Sequence, residues 1–302
     1  MLLVVLHHSL CFYTPYWHST NPQKAHTVLV TIINAIDMPI FMFISGFLFG
    51  YNYSFLGKYQ NKKFFIINKI KHLLVPYLFW GIFLCFIMPN LYSPIQLFTG
   101  ISHLWFLLVL FLIFLITIGG VNKFANLKPI YLLSLLIIFC GLSIYTRKIP
   151  VLGLFIIYFP IFLVGVSSPR LYQRLRFLER INKYFAIMFV LLAIVLISFS
   201  QSVIKGLLPY IGTILVFFLL FPPEKSTLIK NKWLHSFDEC SMGIYIFHHI
   251  TIKLLLQNSS IEKFMLNHIY FGPFALFIIT VFFSWSLAFI MKKQLHFRYL
   301  IG

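Results

Sequence analysis

Long apolar runs alternate with short polar connections from one end of the chain to the other. A helix needs about 20 apolar residues to cross a hydrocarbon core of roughly 30 Å. On that criterion the pattern predicts spans near 1–13, 29–51, 73–91, 103–119, 129–145, 150–167, 184–200, 203–221, 241–257 and 270–291. The expectation is an all-α membrane protein, a polytopic bundle of about ten transmembrane helices. No internal repeat or low-complexity linker divides the runs, so one membrane domain over residues 1–302 is expected. The connection 222–240 is the largest late one, and it is too small for an independent domain.

Composition agrees with the pattern. The chain is 60% hydrophobic and only 10% charged, against roughly 25% charged in an ordinary soluble domain. Its mean hydropathy is +0.92. So few charges could not cover the surface of a water-soluble protein of 302 residues. The net charge of +18 is spread over short connections, which excludes a separate basic nucleic-acid-binding domain. Lys58, Lys62, Lys63, Lys69 and Lys71 lie in the connection 52–72. Two connections further on come Lys123 and Lys128, then Arg170, Arg174, Arg176, Arg180 and Lys183. Lys225, Lys230 and Lys232 follow, then Lys292, Lys293 and Arg298. The alternate connections carry only Lys24, Arg147, Lys148, Lys205 and Lys263. Basic residues collect on the cytoplasmic side of membrane helices, so both termini are expected there. Cys11, Cys85, Cys140 and Cys240 show no metal-ligand spacing and read as packing residues.

The first span is short. A helix from Met1 to Tyr13 reaches only about 20 Å at 1.5 Å per residue. It has neither a positive leading region nor a small-residue cleavage site, so it does not read as a signal peptide. The expectation is that the natural chain begins upstream of this Met1 and that a cytoplasmic turn of the first helix is missing. A short re-entrant start is the competing explanation.

Chemistry is sparse within the spans. His7 and His8 sit side by side in Leu2-Leu3-Val4-Val5-Leu6-His7-His8-Ser9. Ionisable groups are costly in hydrocarbon and mark function by default. Neutral imidazole is the usual general base near physiological pH, which makes His8 the candidate catalytic base. The plain alternative is a packing histidine bonded to a backbone carbonyl. Of six acidic residues, Asp37 alone falls inside a predicted span. It must find a partner or stay protonated, so it either orients a histidine or contacts the acceptor, or else bonds nearby backbone. Ser45-Gly46 permits close helix approach.

Lys69 and Lys71 precede the span opening at Leu73-Leu74-Val75-Pro76. They serve as topological anchors, or also as point charges for the phosphates of a nucleotide-bearing donor. His103 and Trp105 open the fourth span, as an aromatic belt or as a face for a sugar ring. Tyr245 shares a helix face with both His248 and His249. Tyr245 and His248 either line a chamber or bond a neighbouring helix. No metal site is expected.

The order of these segments resembles the integral-membrane acyltransferase-3 family, which includes O-acetyltransferases of surface polysaccharides and lipid-linked sugars. The matching pieces are Val4 through Ser9, Met38 through Leu48, Lys71 through Tyr77, His103 through Leu107, and Ser241 through His248. No single piece is specific; five in this order are. The resemblance maps the family's essential histidine to His8 rather than His7. It also implies a basic residue about three turns earlier on the same helix, which would precede Met1. Many relatives carry a histidine where this chain has Asp37, which weakens any transfer of role to that residue.

The implied reaction moves an acyl group, most commonly acetyl, from acyl-CoA to a sugar hydroxyl. The resemblance implies no permanently bound cofactor, with acetyl-CoA or another acyl-CoA as co-substrate. The expected partners are a glycan or lipid-linked sugar and the bilayer, with no nucleic acid, in the bacterial inner membrane. The rival reading is a polytopic transporter or flippase for a glycan or small solute. Such proteins tend to show related halves and several intramembrane charges, which this sequence lacks by eye. A non-catalytic membrane scaffold, indifferent to His8, is a further alternative.

Overall fold

The computed structural model describes residues 1–14, 17, 24–146, 148–175, 209, 210, 212, 232–294 and 298–301. Among them every regular element is helical. Six helices are long and apolar enough to cross a membrane: Ala25–Ser54, Lys62–Ile87, Ser102–Gly119, Pro129–Thr146, Pro150–Arg170 and Gly272–Lys293. Each overlaps a span that the apolar pattern predicts. The predicted span 1–13 is a shorter apolar helix, α1 (Leu2–Cys11). The predicted spans 184–200 and 203–221 fall almost wholly outside the described residues, as do Arg176, Arg180, Lys183, Lys205, Lys225 and Lys230. The chain is a multi-pass membrane protein.

Two boundaries differ from the pattern for local reasons, and both involve proline. The run over 29–51 is two helices, α2 (Lys24–Asn34) and α3 (Asp37–Ser54). Pro39 lies in the first turn of α3, where its missing N–H costs nothing. The stretch read as the connection 52–72 turns helical at Lys62, because Asn61 Oδ1 accepts from Phe64 N–H at 3.0 Å and caps α4 (Lys62–Lys69). This helix continues through a widened turn over Ile70–Leu74 into α5 (Val75–Ile87). Val75 N–H donates to Ile70 O, five residues back, immediately before Pro76, which has no N–H to give. Lys69 and Lys71 are therefore helical residues, not part of a loop.

The chain forms two compact units. One comprises Met38–Pro223. Here α3 crosses α8 (Pro150–Leu175), while α4 and α5 pack beside α6 (Trp105–Gly119), and α7 (Pro129–Thr146) lies along α8. Gly46 and Gly50, one turn apart on α3, face the backbone of Phe162 and Val166, and Gly165 of α8 faces Phe43 O in return. A side chain at Gly46 or Gly50 would run into a carbonyl oxygen. This is the small-xxx-small contact by which membrane helices approach closely.

The other unit comprises Met1–Asp37 and Glu224–Gly302. In it, α9 (Lys232–Glu239) precedes α10 (Ser241–Gln257), and α11 (Ser259–Asn267) precedes α12 (Gly272–Lys293). α10 runs along α12 with Gly243 on Ala288, and α1 packs against α2, α10 and α12. At the ends of these helices Trp285 Nε1–H donates to Ser236 Oγ at 3.3 Å, and Lys292 reaches Glu239 at 3.3 Å.

Gly46→Val should lower the thermal unfolding midpoint of detergent-solubilised protein, reflecting an overpacking cost of about 1–3 kcal/mol. Ser45→Ala beside it should change the midpoint little.

Candidate active site

In the unit built from the chain ends, α1 carries His7 and His8 at mid-length, and α10 presents Tyr245, His248 and His249 on its buried face. Apolar residues around them (Val4, Val5, Ile244, Ile246) are almost wholly excluded from solvent. Asp37 opens α3, where the unpaired N–H groups of a first helical turn favour a carboxylate.

A strong polar contact joins α1 to Asp37. His7 Nδ1–H donates to Asp37 Oδ2 at 2.6 Å, with the Asp37 side chain fully buried and that of His7 12% exposed. A charge-assisted bond at this distance, shielded from water, is among the stronger hydrogen bonds a protein makes. It also places the proton of His7 on Nδ1.

The other imidazoles gather by ring packing. The His8 ring lies 5.1 Å from that of His7, inclined 26° to it. It lies 5.0 Å from the ring of His248, inclined only 10°. His249 meets His8 edge-on at 5.2 Å, and Trp17 meets His249 edge-on at 5.2 Å. His248 Nδ1–H donates to Ile244 O at 3.1 Å. Tyr245 is buried with its ring 5.9 Å from that of His248. His8 is partly exposed as a residue, yet its Nδ1 is buried and has no hydrogen-bond partner among the described residues.

The structure thus brings His8, Asp37, Tyr245 and His248 into one unit, with His7 linking Asp37 to the group. His249, Trp17 and Cys11 join them without having been singled out for function in the sequence. Helical spacing was the available signal for His249, which shares a face with Tyr245. His7, His8 and Cys11 hold their donor atoms within 4.8 Å of one another, the described group best suited to hold a metal ion. In that case Asp37 would orient His7 as an outer partner.

The remaining candidates lie in the Met38–Pro223 unit. Lys69 is half-buried, its Nζ 3.9 Å from the ring centre of Phe114 and 5.4 Å from that of Phe65. These ring faces steady an ammonium out of bulk water. It borders a cavity of about 500 Å³ that is also lined by Lys58, Tyr59, Asn61, Asn68 and His72. Lys71 is exposed and does not line it. Burial raises the pKa of the Tyr59 hydroxyl, which keeps it a neutral donor. His103 is buried, its Nδ1 3.2 Å from Ser102 Oγ, which in turn is 3.1 Å from Tyr92 OH. Trp105 stacks on Tyr158 at 5.4 Å and 25°. Nine residues of α6 separate Trp105 from Phe114, so the Trp105 end and the Lys69 cavity lie about 14 Å apart along the helix.

A family model for an acyltransferase domain, Acyl_transf_3, matches residues 1–293. The chain belongs to the acyltransferase-3 family, and with its apolar helices it fits a membrane acyltransferase. No curated protein and no solved structure matches it.

Asp37→Ala should destabilise the protein by about 1–3 kcal/mol, the cost of leaving a buried partner unsatisfied. Thermal unfolding in detergent measures it.

Proposed function

We propose that this chain transfers an acyl group, most simply acetyl, from acyl-CoA to a hydroxyl of a cell-surface polysaccharide or lipid-linked sugar. It would act as one membrane domain in a bacterial inner membrane, with both termini cytoplasmic. The observation that carries the reading is the setting of His8, a partly accessible imidazole inside a buried histidine cluster of an acyltransferase-3 chain.

In this reading neutral His8 takes the proton of the acceptor hydroxyl as its oxygen attacks the thioester carbonyl carbon. Because Nδ1 is buried, Nε2 is the nitrogen that meets the hydroxyl. The tetrahedral adduct then expels the coenzyme A thiolate, which takes the proton back from His8. Atoms and charge balance with no further reactant. The cavity beside Lys69 suits the phosphates of the donor: it offers two ammonium groups, an imidazole, amide side chains and a phenol at a size that admits part of a nucleotide. Lys71, on the exposed side of the same helix, would act at longer range on the incoming anion. Asp37, Tyr245 and His248 shape the surroundings of the base, and His103 and Trp105 offer a polar group and a flat face to a sugar ring.

The test is acyl transfer from radiolabelled acetyl-CoA to envelope glycans in membranes bearing each variant. His8→Ala should lower the rate by about 10²–10⁴-fold, the usual worth of a general base. His268→Ala, at an exposed helix end, should leave it unchanged. Glycan movement that needs no acyl-CoA and survives His8→Ala would favour a transporter or flippase instead. Lys69→Gln should raise KM for acetyl-CoA about tenfold, the scale of one lost charged hydrogen bond, with kcat little altered.

A further inference from the structure

A general-base imidazole is ordinarily held in place by a hydrogen bond from its non-reacting nitrogen to a carboxylate or carbonyl. In this protein the buried carboxylate is bonded one residue away: Asp37 holds His7, and His8 Nδ1 has no hydrogen-bond partner among the described residues. Something else must set the angle of the His8 ring. The geometry points to His7 and His248: we propose that they are positioning residues, whose near-parallel rings fix the orientation of His8 and so decide which nitrogen meets the acceptor. This rests on His8 being the base.

Three observations carry the proposal. The rings of His7 and His248 lie at 5.1 and 5.0 Å from that of His8, inclined by 26° and 10°. A ring turning about its Cβ–Cγ bond sweeps its edge out of its own plane. A flat neighbour packed near-parallel at these separations obstructs that sweep. Each neighbour is also anchored by its own hydrogen bond, His7 to Asp37 at 2.6 Å and His248 to Ile244 O at 3.1 Å. Finally, His249 packs edge-on against His8 at 5.2 Å and is itself packed against Trp17. The carboxylate therefore acts on the base through a ring face, not through a hydrogen bond to it.

Substituting the ring separately from its nitrogens tests this. His248→Phe keeps a flat face and loses both nitrogens, and His248→Ala loses the face as well. In His248→Ala, kcat for acetyl transfer should fall about 10–100-fold, as for a misoriented catalytic group, with KM for acetyl-CoA nearly unchanged. His248→Phe should restore kcat to near wild type. His7→Gln, which keeps an amide donor for Asp37 but no ring, should resemble His248→Ala.

A second readout is carbethoxylation of His8 by diethyl pyrocarbonate, followed by peptide mass spectrometry on the full-length protein. Its rate should rise in His248→Ala and His7→Gln but not in His248→Phe. Wild-type kcat and labelling rate in His248→Ala would overturn the proposal. So would a His248→Phe variant as impaired as His248→Ala, since the nitrogens rather than the ring face would then matter. Absence of acyl transfer in the wild type would refute the acyltransferase reading, and the labelling rates would still decide whether the His8 ring is held.

Discussion

A carboxylate in an apolar helix bundle has to be paired, and in this chain His7 donates to Asp37 at 2.6 Å. Much follows from it. It ties α1 to Asp37 within the unit built from the chain ends, sets the proton of His7 on Nδ1 and holds the His7 ring against His8. Because the bond uses the buried acid, His8 carries no such tether among the described residues. The His8 ring is instead packed by rings from α1 and α10.

The Met38–Pro223 unit meets a different constraint. Helices in lipid gain no hydrophobic driving force from one another, so close contact depends on small residues and matched shapes. Gly46 and Gly50 on α3, answered by Gly165 on α8, bring two backbones together. The widened turn before Pro76 lets α4 and α5 continue as one rod, and Lys69 on that rod lies over the ring of Phe114. An ammonium that would be an ordinary anchor on a loop becomes part of the wall of a cavity shared with Lys58, Tyr59 and His72. Its distance along α6 from Trp105 separates that recess from the helix end where Trp105 stacks on Tyr158.

The apolar runs were legible because a bilayer demands about 20 consecutive apolar residues, and each of the six long helices overlaps a predicted run. Asp37 was legible as unusual because a buried acid is rare in such a run. Its partner was not, since His7 lies thirty residues away and His7 and His8 look alike on a line of text. The family resemblance singled out His8, and in the structure the two imidazoles differ in that Asp37 bonds His7. Lys69 was read as a loop residue because a lysine-rich stretch resembles a connection. Only the cap at Asn61 and the packing on Phe114 make it helical.

What the sequence by itself determined is therefore the class of molecule and its inventory: an all-helical membrane protein of the acyltransferase-3 family, with its ionisable residues sparse enough to name. Local composition and periodicity carry that information because lipid imposes the same rule on every turn of helix. What only the tertiary structure decided is which of those residues meet. The contacts among His7, His8, Asp37, His248 and His249 join segments up to 241 residues apart. They depend on how side chains interlock where helices cross, and no one-dimensional pattern encodes that.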